Sequence, residues 1–197
     1  MNKRTIALAA FAATAASGQT ADQPPITVFN ILLDRPFTVP ECSADAPAGK
    51  VEVCWMYTFK GLTDDDARAF RLLRFAEVPS IGTQITAHVE KGTLVSFTIQ
   101  TSGIATQDYT LRELTEKFGK PTLLKREPVQ NAMGAQFVVV RAQWDKPSVY
   151  VQFDADGTDD GGSGGSIDQG WISITTHGRH LEKLRRRDEF FRSRKRL

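Results

Sequence analysis

From Gln84 to Gln100 the chain alternates with a period of two. Ile85, Ala87 and Val89 are apolar, as are Val95, Phe97 and Ile99 beyond Lys91-Gly92. Gln84, Thr86, His88 and Glu90, then Ser96, Thr98 and Gln100, occupy the positions between them. Such alternation marks strands with one face in the core and one wet, and Lys-Gly marks a tight hairpin turn between them. The same period puts Val51, Val53, Trp55, Tyr57 and Phe59 on one face. It predicts further strands over Ile26–Leu33, Thr122–Arg126, Gln136–Trp144, Ser148–Asp154 and Gly170–Thr176, with a turn at Asp145-Lys146-Pro147. One segment changes to helical spacing: Leu111, Leu114 and Phe118 form a stripe that Gly119 ends and Pro121 keeps from resuming. Thr63, followed by three aspartates, reads as an N-cap for a short helix over 63–70 that passes into a strand near Arg71–Ala76. The order predicts a single α+β domain, an antiparallel sheet with one main helix packed on it.

The first residues carry a different signal. Lys3 and Arg4 precede an apolar run from Ile6 to Ala16, and Ala16-Ser17-Gly18 fits a small-x-small cleavage site. The run is shorter than the roughly 20 residues a bilayer span needs. Residues 1–18 therefore read as a signal peptide, 19–178 as the α+β domain and 179–197 as a basic C-terminal tail helix. A periplasmic or secreted protein follows, with no transmembrane span in the mature chain. The two cysteines, Cys42 and Cys54, agree with an oxidising compartment. Their spacing is not the C-x-x-C of a redox pair, and a zinc site would need two further ligands. A structural disulfide is expected, worth about 3 kcal/mol for so short a loop.

The runs "LTEKFGKPT" and "VQNAMGAQF", the strand ending in Trp144, the closing "GWISITT" and the "PEC" opening resemble a family of uncharacterised exported bacterial proteins. The resemblance spans most of the mature chain and implies one exported domain. That family has no assigned activity, so no catalytic residue is implied.

The most conspicuous stretch is "DADGTDDGGSGGSIDQG", Asp154 to Gly170. Asp154, Asp156 and Thr158 match the first positions of a calcium loop, but Asp159 stands where glycine is needed and Gly165 where a bidentate glutamate belongs. A solvated loop is the expectation, with an irregular calcium site from Asp154, Asp156, Asp159, Asp160 and Asp168 as the alternative and no other cofactor. Ser163 sits in a literal G-x-S-x-G, yet a strand rather than a helix is expected to follow, which is the wrong setting for a nucleophile. His88 falls on the wet face of its strand and reads as a solvated sheet residue. His177 and His180 follow the last strand and would complete a metal site only by folding back onto the loop.

Two features point to binding. Tyr150 and Trp171 alternate with core residues, so they fall on the outer face of neighbouring strands, among Gln152, Ser173 and Thr175, either as a recognition surface or beneath cover from the tail or the N-terminal segment. The tail from Arg179 to Leu197 carries nine basic residues against three acidic ones, whereas the rest of the mature chain has fourteen against twenty. Arg185, Arg186, Arg187, Arg194, Lys195 and Arg196 make it a candidate contact with an anionic surface, with docking on the acidic body or a solvated, frayed end as the alternatives. The sequence thus reads as an exported, non-catalytic binding or interaction module whose partner is an envelope protein or an anionic surface, not nucleic acid. The rivals are an envelope enzyme or metal-binding protein using the Asp-rich loop with His177 and His180, and a peripheral membrane-surface protein anchored by the tail.

Overall fold

A computed structural model of the chain describes residues 27–28, 31–42, 53–60, 67–74, 81–130, 133–157 and 167–194. In chain order the elements are β1 (Thr27–Val28), β2 (Ile31–Leu32), β3 (Val53–Lys60), β4 (Ala67–Arg74), β5 (Ile81–Glu90), β6 (Thr93–Thr101), α1 (Gln107–Phe118), β7 (Leu123–Gln130), β8 (Gln136–Asp145), β9 (Val149–Asp154), β10 (Gly170–Thr176) and α2 (His177–Arg194). A short 3₁₀ turn, Gly103–Thr106, precedes α1. The signal-peptide reading of residues 1–18 lies outside the described residues. Among the described residues no helix is long and apolar enough to cross a membrane.

The expected α+β domain with an antiparallel sheet and a main helix on it is what the chain forms. Strands β3 to β6 make one antiparallel meander and β7 to β10 a second. The two meet along their last strands, giving the order β3-β4-β5-β6-β10-β9-β8-β7. Gly170 lies opposite Thr101 and Thr175 opposite Ser96. Helix α1 carries the chain from the middle of the sheet to its far edge. The order ββββα therefore occurs twice, although the sequence shows no repeat.

Local chemistry explains the joints. Lys91 and Gly92 have φ of 49° and 76°, the paired left-handed conformations of a two-residue hairpin whose twist matches its strands. Gly119 closes α1, and its carbonyl accepts a 2.6 Å hydrogen bond from Nε1 of the fully buried Trp144. Gln107, at the start of α1, acts as a stand-in for a strand. Its amide donates to the Val138 carbonyl at 3.0 Å and accepts from the Val140 N–H at 2.9 Å.

One sheet face is dry. Ile85, Ala87, Phe97, Ile99, Ala142, Trp144, Val151, Phe153, Ile172 and Ile174 form the core, and Leu114 of α1 packs against them. Over β3 to β6 the cover is the segment 31–39, whose Leu33, Phe37 and Val39 pack on the same cluster. Phe37 meets Phe70 at 4.6 Å between ring centroids. The Cys42–Cys54 disulfide forms as expected, with Cα atoms 5.0 Å apart. It pins this cover to β3, where Trp55 exchanges backbone hydrogen bonds with Pro40 and Cys42, so the sheet edge at β3 is partly capped. The opposite edge, β7, carries Pro128 and the charged Lys125, Arg126 and Glu127, which discourage edge-to-edge pairing.

Four local expectations change. The single period expected from Val53 to Phe59 is broken, because the register of β3 shifts at a bulge between Trp55 and Tyr57. Ala67–Phe70, expected at the end of a short helix, is strand: Phe70 pairs with Ala87 and packs on Phe37 and Trp55. Tertiary pairing overrides the capping signal; Thr63–Asp66 lie outside the described residues. Val95 is the extra residue of a bulge, because Val89 pairs with Leu94 and His88 with Ser96, so the fully buried side chain is Leu94. The strand expected over Ile26–Leu33 is instead β1 and β2, paired antiparallel with each other.

Two glycines permit a close backbone crossing where β6 leaves the sheet and β10 enters. A Cβ on Gly103, whose φ is +60°, would stand 2.1 Å from the Ile167 carbonyl oxygen. A Cβ on Gly170 would stand 2.6 Å from the Asp154 carbonyl oxygen. The Ile104 N–H donates to the same Ile167 carbonyl at 2.9 Å. Gly103→Ala is expected to cost about 3 kcal/mol, backbone clash added to left-handed strain, lowering Tm by roughly 6–12 °C for a domain this size. Gly92→Ala, with open space around it, should cost only about 1–2 kcal/mol. Thermal melts of the two variants check the difference; equal losses would show that the crossing at Gly103 is not tight.

Candidate binding surface

The second sheet face is polar. By the strand registers it presents Thr86 and His88 on β5, Ser96, Thr98 and Gln100 on β6, Trp171, Ser173 and Thr175 on β10, Gln152 and Asp154 on β9, and Arg141 on β8. All of these are partly exposed. Trp171 sits between Gln100 on one side and Asp154 on the other, so its indole is flanked by an amide and a carboxylate.

At one end of this face α2 docks. The helix begins directly after Thr176, two residues before the expected tail boundary. Arg179 donates to Glu90 and, at 2.9 Å, to Glu182. The His180 ring stacks on Tyr150 with 3.4 Å between centroids and 7° between planes. Tyr150 is therefore on the expected face but covered, only 9% exposed. Its position on the face was legible from alternation, whereas its cover depended on a helix from the end of the chain. His177 Nδ1 lies 3.1 Å from Asp145 Oδ1.

His88 is not freely solvated either. It is part-buried, its Nε2 lies 3.2 Å from Thr98 Oγ1, and Lys183 of α2 stands close enough to repel its charged form. Burial first, and Lys183 second, hold its pKa below the usual 6.5. Burial likewise lowers His180, with Asp145 opposing the shift and His177, Lys183 and Arg187 adding to it.

At the other end of the face, carboxylates converge on Arg141. Its guanidinium lies 2.9 Å from Asp156, 3.4 Å from Glu127 and 3.8 Å from Asp154. Gln152 Nε2 donates to Asp154 at 2.6 Å. The buried Asp156 is stabilised by a fixed positive charge, as a carboxylate at 3% exposure requires. Asp154 and Asp156 therefore face a guanidinium, which competes with any cation. Asp168 is exposed, and Asp159, Asp160 and Ser163 lie outside the described residues. Among the described residues no group of three or more His, Cys, Asp or Glu side chains is placed to hold a metal ion. His180 and Asp154 are at opposite ends of β9, about 13 Å of strand apart, so the helix histidines and these two aspartates do not share a site.

The basic candidates separate in the same way. Arg185, Arg186 and Arg187 are exposed on α2. Arg194 ends the helix, and Lys195 and Arg196 lie outside the described residues. Arg141, Asp156, Gln107 and His88 take part in polar contacts that sequence spacing did not reveal. For Arg141 the signal was available, since a lone arginine on a strand opposite Asp154 invites pairing once the register is known.

No family model, curated protein or solved structure matches the chain.

The histidines set a pH dependence. A lowered folded-state pKa means the neutral ring is favoured in the fold, so stability is full above the unfolded value near 6.5 and is lost as pH falls through the lower folded value. Chemical denaturation at pH 7.5 and pH 5 should show this loss. His88→Gln should shrink it; an unchanged pH dependence in the variant would mean that His88 titrates alike in folded and unfolded chains.

Proposed function

We propose that the chain is an exported, non-catalytic interaction module of the cell envelope, which offers the polar face of its sheet around Trp171 to a partner. The observation that carries the reading is the division of the sheet. One face is closed by α1 and by a cover held with a disulfide, while the other keeps a row of Ser, Thr and Gln around a partly exposed tryptophan. Aromatic rings among small uncharged polar groups give contact area at low entropic cost. The disulfide is consistent with an oxidising compartment, as are the signal-peptide pattern and the resemblance to exported proteins. The rival site that would join His177 and His180 to the Asp-rich loop is disfavoured, because the two histidines meet Asp145 and Tyr150 at the end of β9 away from Asp154.

Site-specific photocrosslinking in intact cells tests it. A photoreactive residue in place of Gln100, beside Trp171, is expected to give a discrete adduct. The same residue in place of Glu113, exposed on α1, should not. Trp171→Ala should reduce the Gln100 adduct at unchanged Tm. Equal labelling from both positions, or none from Gln100, would contradict the proposed face.

A further inference from the structure

We propose that the outer half of α2 binds an anionic membrane surface; this deepens the interaction-module reading by assigning its second contact, one chemically independent of the Trp171 face. The helix is held to the body through its first turn, by Arg179 and His180. From Arg185 to Arg192 every side chain is exposed. Leu181 is 51% exposed and Phe191 55% exposed. With Leu184 they fall at i, i+3 and i+10, so they share one face of the helix. Arg187 borders that stripe on one side, and Arg185 and Arg192 on the other. Phe190, its ring 5.8 Å from that of Phe191, broadens the apolar end.

An apolar stripe edged by arginines suits the boundary between headgroups and acyl chains, where the rings enter and the guanidinium groups reach phosphate. From residue 185 to the end of the chain there are seven basic residues and two acidic ones. That charge fits anionic lipid, and the exposed phenylalanine and leucine favour a bilayer over a purely acidic protein partner. Asp188 lies within the stripe and opposes insertion. Glu189, 4.0 Å from Arg185, lies outside it.

Co-sedimentation of the full chain with vesicles is the test, using phosphatidylcholine alone and phosphatidylcholine with phosphatidylglycerol. Binding is expected only to the anionic vesicles and should fall with added salt. Replacing Arg185, Arg187 and Arg192 with Gln should weaken it about 100-fold, roughly five-fold for each charge near the surface. Phe191→Ser should weaken it several-fold, and Asp188→Asn should strengthen it. Trp171→Ala should leave it unchanged, which separates this contact from the sheet-face reading. Because all five helix positions are exposed, melts should match the parent. No binding to anionic vesicles would overturn the proposal. So would binding that ignores Phe191, since that is the behaviour of a simple polyanion or acidic-protein contact.

Discussion

The fold depends on the pairing of β6 with β10. Six consecutive residue pairs, Gly170 opposite Thr101 through Thr175 opposite Ser96, join two meanders that otherwise touch little. The closing strand comes from near the end of the chain, so the sheet is completed only when that end arrives. The core follows from it: Ile172 sits between Ile99 and Phe153, and Ile174 between Phe97 and Val151, burying apolar surface from both halves at once. The crossing of Gly103 and Gly170 against neighbouring backbone lets the chain leave and enter this seam without a side chain in the way. Since long-range pairing must offset the entropy of closing a large loop, this seam is where cooperativity should originate.

The same seam arranges the two candidate surfaces. It sets Trp171 in the middle of the polar face, and it ends at Thr176 so that α2 begins directly over Tyr150. Burial of Tyr150 beneath His180 fixes the start of α2, while its basic outer half projects from the body. Basic residues toward the helix C-terminus also suit the helix dipole. The opposed charges of body and tail are thus partly satisfied within the molecule, through Arg179 and Glu90, and partly turned outward.

Much of this was legible in the sequence because alternation is a local property. The hairpin at Lys91-Gly92, the helix ended by Gly119, the strands from Gln136 to Thr176 and the disulfide of Cys42 with Cys54 each rest on residues close together in the chain. What escaped was non-local. Whether Val95 or Leu94 points inward depends on a bulge opposite His88. Phe70 is strand because Phe37 and Trp55 wait for it. That the tail rather than the N-terminal segment covers Tyr150, and with a ring thirty residues later, is set by the docking of α2, and Asp156 is tolerated in the interior because Arg141 reaches it. The twofold ββββα order left no trace in the residues, since different side chains meet the same backbone demands. The polar face was legible as far as its wet alternation, but not in the division between its docked end and its open centre.

Native-state hydrogen exchange tests the central claim most directly. If β6 and β10 form the seam on which both meanders depend, their amides should exchange only through global unfolding. Their opening free energies should then agree and equal the stability measured by denaturation. If the β7–β10 half instead opened well below the global value, with β10 exchanging while β3 to β6 stayed protected, the two meanders would be separate cooperative units and the seam would not govern the fold.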